Sequence, residues 1–481
     1  MLWHPQLNWN QKVVKIMSNG REQWGTRLGF ILAASGSAVG IGNIWKYPHM
    51  AGQNGGAAFT LVYLICIALV GLPIIVGEFV LGRKTQLSPV GAYDQIAPGS
   101  FWKWVGFLGV ASAFVILSFY GVVGGWILKY TFASITGGFE ALIDDPEGAG
   151  TMFNGIITST WEPIFWQVIF MAFCIWVIVN GVKGGIEKWS RIMMPLIIVI
   201  LVVLAIRGLT LPNGKEGLVF LFKPRFADLS ASAIVLALGH AFFTLSLGMG
   251  TMITYGSYLD KKQNLIGSAI WVILLDTAIA ILAGIAIFTT VFAMGADPAE
   301  GPGLIFVVLP TVFPQLAGGT IWASLFFILL FMAALTSAIS ILEVVTAYFI
   351  DQKGWDRGRA TIIFGSVITV VGVFCSLSLG GGINLSAFLN MTFFDFMDYL
   401  SSKYMLPIGG MFMAIFILYR WGLPEFLIEL ETGMDGYKVN LWVVRILLSI
   451  SAAVVGFIIL NEIVDKIIGR SISDILFSAS G

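Results

Sequence analysis

Four groups of residues in this sequence have types and spacings that could do chemistry. The first is the stretch 29–56, GFILAASGSAVGIGNIWKYPHMAGQNGG, which begins as an apolar helix and then stops behaving like one. Gly36, Gly40 and Gly42 arrive at short intervals, followed by Asn43, Lys46 and Pro48. Glycine weakens a helix interior, and proline donates no backbone bond and disfavours helix at the residue before it. The second is 238–256, LGHAFFTLSLGMGTMITYG, interrupted near its middle by Thr244, Ser246, Gly248 and Gly250. The third is Asp276, alone in the apolar run IWVILLDTAIAILAG. The fourth is Ala333, Thr336 and Ser337, which at i, i+3 and i+4 share one helix face. The breaks free backbone amides and carbonyls that must bind something, and an ion with a small polar molecule would satisfy them. Each group also has a plainer reading. Small residues spaced by four let two helices approach, Thr and Ser bond back to their own helix, and a buried acid serves as a paired structural group.

These residues sit in a chain that composition assigns to the membrane. Of 481 residues, 57% are hydrophobic and only 11% charged, against roughly a quarter charged in a soluble protein. A formal net charge of zero carries no nucleic-acid footprint. Cys66, Cys174 and Cys375 lie in apolar runs and read as core fillers rather than a disulfide set. A membrane helix needs ~20 mostly apolar residues, and eleven stretches qualify: about 28–51, 58–82, 102–134, 162–180, 189–208, 230–256, 264–293, 319–350, 360–378, 395–419 and 440–462. With the N-terminus in the cytoplasm, 18 of the 27 Lys and Arg fall inside, as the positive-inside rule requires. An odd number of spans then places the C-terminus outside. Residues 1–20 show no cleavable signal and are expected to form a cytoplasmic tail, 21–462 one transporter domain, and 463–481 an extracytoplasmic tail. The proline-rich outer segment 297–318 reads as a re-entrant or cap loop, or as a simple exposed one.

The two interruptions fall in the first and the sixth span. Broken helices survive in a membrane only where protein or a cavity receives the freed groups. Breaks at corresponding positions of two five-helix halves (28–208 and 230–419, with the last span outside the pair) predict an all-α inverted-repeat transporter with its site between them. No motif of a hydrolase, nucleotide-binding protein or nucleophilic enzyme is visible, so the chain does not read as an enzyme or a primary pump.

The segments WGTRLGFILAASGSAVGIGNIWKYP, NGGAAF, GLPIIVGEFVLGR, FFTLSLGMGTMITYGSYL and AALTSAIS resemble the neurotransmitter:sodium symporters, and among them the bacterial eleven-span transporters of leucine and other hydrophobic amino acids. The resemblance runs from about Arg21 to the last span. It implies two inverted five-helix repeats plus an extra helix, alternating access in a bacterial inner membrane, and two sodium ions as co-substrates. One ion would take the carbonyls of Gly36, Val39 and Ala333 with the hydroxyls of Thr336 and Ser337. The other would take the Ala38 carbonyl, Asn43, Thr244 and Asp276. Many animal relatives carry an uncharged residue at the last position and use chloride, so Asp276 implies chloride-independent transport. Where amine transporters carry an aspartate this chain has Gly40, leaving room for a substrate carboxylate beside Ala38, Gly42 and the Tyr120 hydroxyl. Ile41, Ile116, Phe243, Met249 and Ile341, with Thr244, Ser246 and Ser337 beside them, would form an uncharged pocket for a neutral hydrophobic L-amino acid.

The same resemblance implies two gates. Lys46, in place of the family's usual arginine, would pair with Asp398 on the outer side above a lid of Phe243 and Tyr120. On the inner side Arg21 would pair with Asp351, braced by Trp24, Ser257 and Tyr258. Glu78 is expected to hydrogen-bond the broken first helix. Gly185 and Pro195 have the spacing that lets the fifth span unwind in bacterial relatives, or else mark a simple kink. His240 stands where glutamine is usual. Rival readings are a taurine-like zwitterion as substrate, or a channel or sensor on the same fold.

Overall fold

Proline and glycine, more than hydropathy, decide how the helices run. In the computed structural model, which describes residues 21–145, 147–295, 303–380 and 391–468, the described residues form helices and connecting turns. The first span is split into α1 (Arg27–Ala38) and α2 (Gly42–Gln53), bent by 51°. There follow α3 (Ala57–Thr85), α4 (Lys103–Ile135), α5 (Glu162–Val179) and α6 (Val182–Leu209). The second interrupted stretch forms α7 (Ala231–Thr244) and α8 (Thr251–Gly256). The rest are α9 (Leu265–Ala293), α10 (Gly319–Lys353), α11 (Arg357–Leu379), α12 (Phe393–Trp421) and α13 (Leu441–Ile468).

Four turns with wide, π-type bonding end two residues before a proline: Gly42–Lys46 before Pro48, Ile67–Gly71 before Pro73, Leu304–Val308 before Pro310 and Ser401–Met405 before Pro407. Proline offers no N–H and its ring crowds the carbonyl one turn back. A locally widened turn lets the helix continue through that defect. Helix ends follow ordinary capping chemistry. Thr26, Asn264 and Asp356 accept from Gly29, Gly267 and Arg359 amides at the starts of α1, α9 and α11. Gly318 and Gly354, both left-handed, bound α10.

Among the described residues nine helices are long and apolar enough to cross a membrane, or ten when the bent pair α1–α2 is one span. The hydropathy reading expected eleven; α7 and α8 fall short because the break divides them. The tail 1–20, Pro298 and Pro302 of the outer loop, and 469–481 lie outside the described residues, while 304–315 of that loop is helical. At the centre, α4 and α10 pack together, and α10 also meets α1, α5, α6, α8 and α11. The densest burial is in α10, where 83% of the apolar window is covered, against 28% for the peripheral last helix. The most interior helix is thus the one that carries Ala333, Thr336 and Ser337. Cys66, Cys174 and Cys375 are free and buried.

Candidate functional site

The two breaks meet. At the first, Val39 leaves the helix for an extended conformation (φ −76°, ψ 96°). At the second, Ser246, Gly248 and Gly250 all have positive φ, of 53°, 78° and 77°. Glycine adopts such angles freely, but Ser246 does so under strain. Its hydroxyl donates to the Ser37 carbonyl at 3.0 Å, which ties the strained residue to the end of α1. Ser37 Oγ lies 2.7 Å from Ser340 Oγ of α10, and Ser337 Oγ donates to the same Ser37 carbonyl at 3.2 Å. Three broken or central elements are therefore joined by small hydroxyls in the interior.

Glu78 departs from expectation. Its Oε1 accepts from the Gly248 amide at 2.7 Å, so it serves the second break rather than the first. The sequence shows an acid in a helix, but not which of two amide-rich breaks will face it.

One cluster of oxygens surrounds Asn43. Asn43 Nδ2 donates to Asp276 Oδ1 at 2.7 Å and to the Asp276 carbonyl at 3.1 Å. Asn43 Oδ1 accepts from the Gly40 amide at 3.2 Å and from Thr244 Oγ1 at 3.2 Å. Thr244 Oγ1 also lies 3.0 Å from Asp276 Oδ1, and Tyr63 donates to Oδ2 at 3.4 Å. Asn43, Thr244 and Asp276 are thus brought together from three elements, all buried. Ala38 is the last residue of α1 and is likewise buried. A carboxylate, an amide oxygen and a hydroxyl are hard donors suited to a small cation. Tyr63 was not singled out from the sequence.

A second cluster lies on α10. Thr336 Oγ1 donates to its own helix at Ala333 O (3.0 Å) and Met332 O (3.1 Å), and reaches Val39 O at 3.5 Å. A Cβ on Gly36 would come within 3.3 Å of Thr336 Cβ, so Gly36 packs directly against this threonine. The back-bond and the bridge to the first break coexist. Ser337 is nearby, but its hydroxyl is turned to Ser37.

Between the clusters, a Cβ on Gly40 would lie 3.0 Å from both Tyr120 Oη and Ser337 Cβ, and a Cβ on Gly42 3.3 Å from the Phe243 ring. The Ile41 amide donates to Tyr120 Oη at 3.4 Å. Gly40, Gly42, Tyr120, Phe243 and Ser337 are therefore brought together around the first break. Ile41, Ile116, Met249 and Ile341 are buried in the same apolar core. His240 is buried among Tyr63 (ring centroids 5.2 Å) and Tyr47 (6.3 Å, stacked), and neither of its ring nitrogens has a hydrogen-bond partner among the described residues.

Both expected ion pairs are present. Lys46 Nζ is 3.2 Å from Asp398 Oδ1 and 4.1 Å above the Phe243 ring. At the other end, Arg21 Nη1 donates to Asp351 Oδ1 at 2.7 Å and Nη2 to Ser257 Oγ at 2.7 Å, with the guanidinium over the Tyr258 ring. Burial opposes the Arg21 charge, yet Asp351, Tyr258 and Glu343 outweigh it and hold its pKa above the ordinary value. Trp24 Nε1 donates to Tyr255 O at 2.9 Å. The sequence did not single out the continuation of this network. Tyr258 donates to Glu343 at 2.5 Å, and Glu343 takes a two-pronged pair from Arg357 at 2.7 and 3.0 Å.

The model of the Sodium:neurotransmitter symporter family matches residues 21–140 and 154–472. The uncharacterized sodium-dependent transporter YhdH of Bacillus subtilis is 41% identical over 418 residues, covering 86% of this chain and 92% of that protein. The sodium-dependent serotonin transporter of Drosophila melanogaster is 28% identical over 437 residues, covering 80% of this chain and 69% of that protein. A crystal structure of MhsT in complex with L-phenylalanine superimposes with a TM-score of 0.83 at 48% identity, covering 91% of this chain and 99% of that one.

Proposed function

The chain belongs to the sodium:neurotransmitter symporter family, and from that premise we propose that it imports a neutral, hydrophobic L-amino acid with sodium, without chloride, by alternating access. At the coarser level it is a sodium-dependent, multi-pass membrane transporter, and its family and structural neighbours are transporters rather than enzymes. The observation that carries the finer reading is the crowding at Gly40. Its Cβ position is 3.0 Å from Tyr120 Oη, so this corner offers the Tyr120 hydroxyl and the Gly40 and Ile41 amides, bonded to Asn43 Oδ1 and Tyr120 Oη, and places no acid at Gly40 itself. That suits a substrate carboxylate and not an amine alone. The side-chain end, at Ile116, Phe243, Met249 and Ile341, is uncharged, and MhsT, which is similar throughout, was solved with L-phenylalanine.

In this reading Asn43, Thr244, Asp276 and the Ala38 carbonyl receive one sodium ion. Thr336, Ser337 and the carbonyls of Gly36, Val39 and Ala333 receive a second. Asp276 supplies the negative charge that chloride brings elsewhere. In the same reading Ala231–Gly256 counts as one broken span, the eleventh of the set, and with the Lys and Arg bias the N-terminus would lie inside and the C-terminus outside. Lys46–Asp398 closes the outer side and Arg21–Asp351 the inner.

Equilibrium binding tests this directly. In chloride-free sodium buffer, labelled phenylalanine, tryptophan or leucine should bind saturably and be displaced by one another. Displacement by taurine or by the decarboxylated amines, with no effect of the hydrophobic amino acids, would overturn the assignment of the pocket.

A further inference from the structure

Residues 21–26 and the first turn of α6 exchange carboxylates. Glu22 Oε2 accepts from the Val182 amide at 2.6 Å, the first amide of the wide turn Val182–Glu187 that opens α6. Glu187, the last residue of that turn, answers in the other direction. Its Oε2 accepts from the Gly25 amide at 2.6 Å and its Oε1 from Thr26 Oγ1 at 3.0 Å. Thr26 is the residue that caps α1, accepting from the Gly29 amide at 2.9 Å. Each helix start is thus held by an acid from the other segment, where freed amides and the helix dipole favour negative charge. Glu187 is nearly fully buried. A Cβ on Gly29 would collide with its carboxylate, and one on Gly25 would lie 3.1 Å from it, so the two glycines leave the space it fills.

The wide turn is the weak part of α6. It follows Gly181, at φ 82°, and contains Gly184 and Gly185. A cleft of about 440 Å³ opens beside it, lined by Arg21, Glu22, Asn180 and Lys183 among others, and gives an unwound turn room to move. Unwinding would shift Val182 away from Glu22 and withdraw Glu187 from Gly25 and Thr26. Movement of α1 would break the same bonds from the other side.

We propose that Glu22 and Glu187 are positioning residues that make release of the start of α1 and unwinding of the first turn of α6 one event. This rests on the alternating-access reading above, since it makes that event the inner opening. Glu22 is also bonded to Arg357 at 3.0 Å, so the event is tied to the Glu343–Tyr258 network around Arg21.

Hydrogen–deuterium exchange of the full chain in lipid nanodiscs, in sodium, tests the coupling without requiring transport. Glu187→Ala, a change on α6, should speed exchange in 25–30 by about tenfold, and Glu22→Ala should do the same in 182–187. Gly29→Ala is the second variant. It improves α1's own helix propensity yet evicts Glu187, and should still loosen 182–187. The Glu22→Ala/Glu187→Ala pair should add little to either single change. Restoring the acid as Glu187→Asp should recover part of the protection, which a general packing defect would not show. Exchange that rises only in the segment carrying the substitution would overturn the proposal. If cross-effects appear but the protein accumulates no amino acid, the clasp stands and the symport reading fails; the reverse pattern separates them the other way.

Discussion

Asn43 Nδ2 and Asp276 Oδ1 lie 2.7 Å apart, in the interior, across 233 residues of sequence. The bond joins the first break to a helix that never breaks, and orients both oxygens of the acid: Oδ1 toward Asn43 and Thr244, Oδ2 toward Tyr63. An acid so placed is costly in a membrane unless a cation meets it. Asp276→Asn keeps the shape and removes the charge. Half-saturating sodium is expected to rise about tenfold or more, and chloride, expected to have no effect on the parent protein, should restore part of the activity. The check is a sodium titration of substrate binding in gluconate and in chloride.

Thr336→Val separates the two roles of that hydroxyl. Its bonds to Ala333 and Met332 are within its own helix, so stability should change by only about 1 kcal/mol. Its reach to Val39 O is the one that crosses to the first break. Half-saturating sodium should rise about tenfold with little change in melting temperature. A large fall in stability with unaltered sodium dependence would assign Thr336 to packing.

Lys46→Gln addresses the outer pair. The side chains of Lys46 and Asp398 are 24% and 37% exposed, so the ion pair should contribute at most about 1 kcal/mol to stability. Its loss should instead speed dissociation of bound amino acid toward the outside by several-fold, read by stopped-flow or filter assays. The loss of the cation over Phe243 acts in the same direction.

Arg83→Ala is the stability counterpart. Arg83 is fully buried and bonds Glu429 Oε1 at 2.8 Å, Gln263 O at 2.7 Å, Thr432 O at 3.0 Å and the Glu429 carbonyl. Removing one partner of a buried pair costs about 3–5 kcal/mol. Lys261, also on Glu429 at 2.8 Å, should hold the loss to the lower end of that range. Thermal unfolding in detergent gives the answer; a change below about 1 kcal/mol would mean that Arg83 is solvated where the fold places it as buried.

The breaks were legible because glycine and proline act on their own backbone: Gly36, Gly40, Gly42 and Pro48 declare an interruption wherever the chain later folds. Thr336 and Ser337 were legible as a shared helix face, and Asp276 as an acid with no aqueous neighbour in sequence. The gate pairs came from resemblance, since nothing local links Lys46 to Asp398. What stayed hidden depends on long-range partners. Glu78 sits in an unbroken helix and gives no sign that it will serve Gly248 rather than the first break. Ser37 and Ser340 look like packing residues until their hydroxyls are found 2.7 Å apart. Glu187 reads as one more charge near a helix end, though it bonds Gly25 and Thr26, the residue that caps a different helix. A hydropathy window likewise sees continuous apolarity through 230–256, and not that positive φ at Ser246, Gly248 and Gly250 divides it.

The most direct test of the central claim is uptake into proteoliposomes of labelled phenylalanine, tryptophan, leucine and taurine, with and without an inward sodium gradient, in chloride-free buffer. The account predicts sodium-driven accumulation of at least one hydrophobic amino acid above its external concentration, with taurine excluded. Accumulation that requires chloride, or that is unchanged when the sodium gradient is removed, would contradict it.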